Sequence, residues 1–265
     1  MEEQIVLEGG NLNKVIRMGQ TVRRPQKSWS PSIHKVLAYL EQHGFFRAPK
    51  FYGIDEYNRE ILSFIPGETA VEFPRVKPYM MKDEILFDVA GMLRTLHDIT
   101  TTFKPDHNDQ WMLSYPGTLP KEVICHNDCA PYNVVFSEEK VNGIIDFDTA
   151  CLGPRIWDIA YTLYTFVPLG RFVYDPSCSS LVDYLSEKHA DERRRRISGF
   201  FNAYGMNQPD DVIEQVVFRL ETLCNTLTEK AAGGDEAFMK MIEEGHLAYY
   251  QDEIRFIQRY GHEWI

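Results

Sequence analysis

Residues 125–136 read CHNDCAPYNVVF, and the reading of this stretch decides how the rest of the chain is interpreted. Two cysteines, a histidine, an aspartate and two asparagines lead into an apolar run. A structural zinc site needs four nitrogen or sulfur ligands, usually in two paired clusters. Cys125, His126 and Cys129 have no second pair downstream. A cysteine nucleophile needs a base within reach, but Cys125 and His126 are adjacent, and neighbours on an extended strand point to opposite faces. Buried packing residues are the commoner reading of such thiols. The third chemistry is phosphoryl transfer. An attacking hydroxyl needs one carboxylate to orient it and accept its proton, and a hard cation needs oxygen ligands. With four residues between Asp128 and Asn133, one loop can carry a base at its start and a metal-binding amide at its end.

The residues downstream favour this third chemistry. Asn133 leads into the apolar NVVF, a short turn at SEEK, and VNGIIDF. A hairpin of that length returns Asp146 to the neighbourhood of Asn133. His126, Asp128, Asn133 and Asp146 then stand at the spacing of a kinase catalytic loop and its metal-binding aspartate.

Outward from the loop, the N-terminal quarter reads as β-rich. NKVIRM and TVRR flank Gly19-Gln20 as a hairpin, and KFYGID and REILSFI flank a turn at 56–58. Between them Ser30-Pro31 opens a helix with Ile33, Val36, Leu37 and Leu40 on one face, and Gly44 ends it. Pro66-Gly67 breaks the pattern as a hinge. Beyond it helices dominate, over 82–98, 155–167 and 236–261, and Asp210 is the expected N-cap of a helix running from Asp211. The expected organisation is α+β and bilobal. A small β-rich N-lobe (1–65) binds nucleotide, and a larger, mainly α-helical C-lobe (66–265) carries catalysis and the substrate. Ligands favour the cleft between two such lobes.

Composition narrows the class. The net charge of −11 speaks against a nucleic-acid partner. Residues 1–62 carry a net +2 and the remainder −13, so the C-lobe could attract a cation. Acidic surfaces also serve solubility alone. No stretch approaches the roughly 18 apolar residues of a membrane span, and the acidic N-terminus is not a signal peptide. Five scattered cysteines do not suggest a disulfide framework, which points to a reducing cytoplasm.

HNDCAPYNVVF, GIIDFDTACLGPRIWDIAY and the hinge-like ILSFIPGE resemble the aminoglycoside phosphotransferase superfamily, small-molecule kinases with a protein-kinase-like fold. The resemblance spans most of 5–165 and is strongest over 125–161. It implies that Asp128 is the catalytic base and that Asn133 and Asp146 hold magnesium. It also implies that His126 pins the loop, that Asp158 anchors it from the next helix, and that backbone groups of Ser63 and Ile65 hold the adenine of ATP. GTP stays open, because backbone contacts tolerate either base. Asp158 follows Asp146 by twelve residues, too few for a protein kinase's activation segment, so a protein substrate is not expected.

The nucleotide lobe departs from the family pattern. Gly9-Gly10 lacks the later glycine of a phosphate loop, with Asn11 the residue expected near the phosphates. The strand that should carry a lysine reads TVRRP. Arg23 is assigned its role, with Arg24 the fallback, and an arginine fork is not a neutral exchange for lysine. Where the following helix should offer a glutamate stands His34, and Glu41 lies two turns on. The expected activity is an ATP- and magnesium-dependent transfer to a hydroxyl of a small, cationic molecule: an aminoglycoside, amino-sugar or amino-alcohol. Such an enzyme could serve antibiotic resistance. The alternatives are a choline/ethanolamine-, homoserine- or fructosamine-type metabolic kinase, or a nucleotide-binding pseudokinase, suggested by the missing Lys–Glu pair. Glu187, Asp191, Glu192, Glu243 and Glu244 are acceptor-site candidates that read more simply as solvated helix residues. The run at 191–196 reads as an exposed charged helix face.

Overall fold

The computed structural model describes residues 4–7, 15–175, 177 and 180–265. Gly9, Gly10 and Asn11 lie outside the described residues. The chain opens with an antiparallel sheet in the order β1-β2-β3-β5-β4, formed by β1 (Gln4–Leu7), β2 (Val15–Met18), β3 (Thr21–Pro25), β4 (Phe51–Ile54) and β5 (Arg59–Ser63). Helix α1 (Ser30–Gln42) crosses between β3 and β4. Pro31 sits in its first turn, where a missing N–H costs nothing. Its apolar stripe of Ile33, Val36, Leu37 and Leu40 is buried.

Two glycines fit the sheet lobe to the rest. Gly67 has φ of 140°, and a Cβ there would lie 2.2 Å from the Phe136 carbonyl oxygen. This lets Glu68 exchange both backbone hydrogen bonds with Phe136, at 2.9 and 2.8 Å. A Cβ on Gly143 would meet the Arg47 carbonyl at 2.6 Å. That carbonyl instead accepts the Ile144 amide at 2.8 Å. The hairpin of β7 (Val134–Ser137) and β8 (Lys140–Ile144) is thus tied to the segment just after the hinge at one edge and to the sheet lobe at the other. Its turn residues Glu138 and Glu139 have φ of 51° and 56°, the backbone that two-residue hairpin loops need, though neither is glycine or asparagine.

The larger lobe is helical. α2 (Asp83–Thr100) buries Ile85, Leu86, Val89, Leu93 and Leu96, each worth roughly 1.5–3 kcal/mol of transfer free energy. A short pair, β6 (Val123–Cys125) and β9 (Cys151–Gly153), brackets the loop and hairpin. α3 (Arg155–Phe166) follows, then the hairpin of β10 (Phe172–Asp175) and β11 (Ser180–Asp183). The chain finishes with α4 (Ser186–Tyr204), α5 (Val212–Ala232), α6 (Glu236–Glu243) and α7 (His246–Tyr260). Among the described residues no helix is long and apolar enough to cross a membrane.

Three expectations need correction. The N-cap of α5 is Asp211, not Asp210, and its carboxylate accepts the Gln215 side chain rather than a backbone amide. The expected helix over 236–261 is two helices, because Gly245 turns left-handed at φ 89°. The run at 191–196 is not wholly exposed. Arg193 and Arg196 are buried, and Arg195 and Arg196 both pair with Asp83 at the start of α2.

Candidate active site

The loop between β6 and β7 is held from below by Asp158 in the first turn of α3. Its Oδ2 accepts the His126 amide at 2.6 Å and the His97 ring Nε2 at 3.0 Å, and its Oδ1 accepts the Asn127 amide at 2.8 Å. Asp158 and His97 are both fully buried. Burial pushes the Asp158 carboxyl up, but His97 and the loop amides outweigh it and leave the pKa below the ordinary range. Asn127 takes a left-handed φ of 67°, and its carbonyl accepts Arg219 Nη2 from α5 at 2.7 Å. The Arg219 guanidinium also lies over the rings of Trp157 and Tyr161.

His126 ties the loop to the hairpin. Its Nε2 meets the Ile145 carbonyl at 3.1 Å, and the Asp128 amide donates to its Nδ1 at 3.3 Å. That pairing fits a neutral ring, and burial lowers its pKa in the same direction. One imidazole therefore fixes both the backbone of Asp128 and the residue before Asp146. From the other side the Ile145 amide donates to the Asn133 carbonyl at 2.9 Å. So Asp128, Asn133 and Asp146 come together at one end of the β7–β8 hairpin.

The carboxylate of Asp128 is half-buried and doubly held. Tyr132 Oη donates to Oδ1 at 2.6 Å, and Asn133 Nδ2 donates to Oδ2 at 2.8 Å. Burial pushes its pKa up to about 7, with the Asp146 charge adding to the rise and the Tyr132 and Asn133 hydrogen bonds opposing it. With Nδ2 committed to Asp128, the Asn133 amide oxygen has no hydrogen-bond partner among the described residues. Asp146 is exposed and left-handed, at φ 63° and ψ 68°. That region is costly for a non-glycine residue and concentrates at functional sites. An amide oxygen and an exposed carboxylate form the hard oxygen donor set that suits magnesium.

The cation from the sheet lobe is Arg24. It is buried, donates through Nη1 to Asp146 Oδ1 at 3.1 Å and through Nη2 to Asp148 Oδ1 at 2.7 Å, and pairs through Nε with Glu60 on β5. Burial opposes the charge, but Asp148, Asp146 and Glu60 together raise its pKa. His34 completes the arrangement from α1, with Nε2 2.6 Å from Glu60 Oε2. Arg23, the first-choice residue, is directed elsewhere. Its Nε is 3.8 Å from Asp55, and its Nη1 donates to the Val22 carbonyl. Adjacent strand residues face opposite ways, so only one of the two arginines can reach the cleft, and here it is Arg24. The glutamate sought on α1 comes instead from β5, opposite Arg24 in the strand register. Glu41 pairs with Lys50.

Ser63 closes β5, with its hydroxyl accepting the Lys50 amide at 2.8 Å. Ile65 packs against Gly143 of the hairpin. Both lie on the segment joining the lobes. Cys125 and Cys129 are fully buried packing residues beside the loop. Cys125, His97 and Asp158 lie close enough to suggest a metal cluster. Both Asp158 oxygens and His97 Nε2 are already engaged with one another and with loop amides, so the cluster reads as an anchor.

Residues 108–196 match the model of the phosphotransferase enzyme family. That match covers about a third of the chain. Over 163 residues it is 37% identical to the trifolitoxin immunity protein of Rhizobium leguminosarum bv. trifolii, covering 60% of this chain and 59% of that protein. The chain thus spans about three fifths of the length of that relative. Its fold is that of the Plasmodium vivax ethanolamine kinase, with a TM-score of 0.58, 15% identity, and 97% and 81% of the two chains covered. It is also the fold of an aminoglycoside phosphotransferase solved with ADP, with a TM-score of 0.55, 14% identity, and 97% and 95% covered. The family match includes the loop, the hairpin and α3, but neither Arg24 nor Glu60.

Proposed function

We propose that this protein transfers the γ-phosphoryl group of ATP to a hydroxyl of a small molecule, with Asp128 as the base. The carrying observation is the convergence of Asp128, Asn133 and Asp146 at one end of the hairpin, in a segment that matches a family model described as phosphotransferase. In the proposed reaction the acceptor hydroxyl gives its proton to Asp128 as its oxygen bonds the γ-phosphorus. The bond from that phosphorus to the bridging oxygen breaks, and ADP leaves. Magnesium on Asn133 and Asp146 would neutralise phosphate charge as it develops.

Arg24 would take the part of the phosphate-binding cation. Its fork suits phosphate oxygens, and Glu60 holds it from behind. Against a pseudokinase, whose support is the missing Lys–Glu pair, stands the buried Arg24–Glu60 pair. The backbone at Ser63 and Ile65 would hold the adenine, and Asn11 would lie near the phosphates. The proposed division keeps 1–65 for nucleotide and 66–265 for catalysis and acceptor.

A small acceptor is supported by the short interval from Asp146 to Asp158 and by similarity to an ethanolamine kinase and an aminoglycoside phosphotransferase. The same chemistry could serve protection from a toxic compound, as the name of the immunity-protein relative suggests. The test is ATP consumption with magnesium across a panel of hydroxyl compounds, with Asp128→Asn as control. Turnover that Asp128→Asn abolishes while ATP affinity survives supports the reading. Near-normal turnover in that variant removes Asp128 as the base.

A further inference from the structure

Asp148 has no part in the chemistry assigned above, yet its carboxylate is one of three that share the Arg24 guanidinium. The three are not equivalent. Arg24 Nε pairs with Glu60, whose side chain is 1% exposed, and Nη2 donates to Asp148, 14% exposed, at 2.7 Å. Nη1 donates to Asp146, 49% exposed, at 3.1 Å. Two donors of the fork are thus tied to sheltered carboxylates. The third bond, the longest, runs to the exposed one, which is the proposed metal ligand.

Asp148 also stands on a rigid support. It lies in the short 3-10 turn Phe147–Thr149, directly after Asp146. Phe147 is buried, and its ring meets His126 edge-on with centroids 4.6 Å apart. Thr149 Oγ1 donates to the His126 carbonyl at 2.9 Å, and the Thr149 carbonyl accepts Asn127 Nδ2 at 2.8 Å. The turn is thereby fastened to the two residues that precede Asp128. Glu60 fixes the arginine relative to its own sheet, whereas Asp148 fixes it relative to the catalytic loop. Only a planar fork can be held from two sides and still present a further donor, which a lysine ammonium cannot do in the same geometry.

Resting on the phosphotransferase reading, we infer that Asp148 is a positioning residue for the nucleotide. It holds Nη2 of Arg24 so that Nη1 is the donor left to turn from Asp146 to a phosphate oxygen once Asp146 engages metal. The experiment is a double-mutant cycle on MgADP binding, which needs no turnover, read by calorimetry at two magnesium concentrations. Its members are the parent, Asp148→Ala, Arg24→Lys and the double variant, each with its melting transition recorded. Asp148→Ala should weaken MgADP about tenfold in the parent, the worth of a hydrogen bond to a charged group. In the Arg24→Lys background, where the fork is gone, the same change should cost less than about twofold. Asp148→Asn keeps an oxygen for Nη2 and should recover part of the loss; it replaces Asp148→Ala in the cycle if the alanine variant does not fold. Unchanged binding in Asp148→Ala overturns the inference. So does an equal loss in both backgrounds, since Asp148 would then act apart from Arg24. A loss that the higher magnesium concentration abolishes also overturns it, by making Asp148 a metal ligand. All three outcomes leave the phosphotransferase reading standing, because the parent binds MgADP in each. A parent that binds neither MgADP nor MgATP overturns that reading and the inference with it.

Discussion

Tyr132 Oη donates to Asp128 Oδ1 at 2.6 Å and stands 2.8 Å from Tyr161 Oη, so the proposed base is held by a phenol from its own loop. A hydrogen bond to a charged group is worth roughly 1.5–3 kcal/mol. Tyr132→Phe should therefore lower turnover about tenfold while leaving ATP affinity in place. The pH profile gives the sharper readout. Tyr132 holds the Asp128 pKa down, so its loss should move the acid limb of kcat to higher pH. An unmoved limb would mean that Tyr132 only fills space.

Asp128 also couples function to stability. Its folded pKa of about 7 lies above the ordinary carboxylate value, so the folded state binds the proton more tightly than the unfolded chain. That contribution is fully present below the unfolded pKa and is lost as pH rises through about 7. Above pH 7 the ionised carboxylate costs stability, and Asp128→Asn should recover it. An asparagine fits if its amide donates to Tyr132 Oη while Tyr132 donates to Tyr161. The expected gain near pH 8, without metal or nucleotide, is on the order of 2 kcal/mol after solvent screening. It should shrink as pH falls through 7 and vanish only below the unfolded carboxylate pKa, about 4. Thermal melts of both proteins across that range decide it; a pH-independent difference would contradict the assigned titration.

The sequence exposes the loop and hairpin and hides the sheet lobe's share of the site, for a physical reason. Asp128, Asn133 and Asp146 lie within one loop and one hairpin, whose length fixes their return. Arg24 and Glu60 are 36 residues apart and meet only through strand register. Whether Arg23 or Arg24 faces the cleft depends on the phase of β3, which a one-residue slip inverts. Arg219 reaches the loop from α5 over 92 residues, and no local pattern marks it. The arginine run of α4 is misread as solvated because its Asp83 partner lies on another helix.

The two adjacent arginines offer a direct comparison. Arg24→Ala leaves Glu60, 1% exposed, with His34 as its one side-chain partner among the described residues. Removing one member of such a pair costs roughly 3–5 kcal/mol. ATP affinity should fall with it, and Arg24→Lys should restore charge and part of the stability but not the fork. Arg23→Ala breaks a long contact to Asp55 worth at most about 1 kcal/mol and should leave ATP affinity near normal. Urea denaturation with nucleotide titration measures both quantities. Equal losses in the two variants would refute the assignment of the phosphate-binding role to Arg24.

Beneath the loop, Asp158 accepts two backbone amides and the His97 ring, so Asp158→Asn turns an amide NH2 toward a donor whichever way it is placed. Leaving buried donors unpaired costs about 1–3 kcal/mol each, and the variant should lose roughly 3 kcal/mol at pH 7. The pH dependence has a definite sign. Asp158 has a depressed folded pKa, so its contribution is present above the unfolded carboxylate pKa and lost as pH falls through the folded value. The gap between parent and variant should hold from pH 7 to about pH 5 and close only in stronger acid. Because the loop carrying Asp128 hangs from these amides, turnover should drop further than stability alone explains, under conditions where both proteins are fully folded. Denaturation midpoints at several pH values, paired with turnover at pH 7, test this; a variant as stable and active as the parent would show that the loop is held by His126 and Arg219 without Asp158.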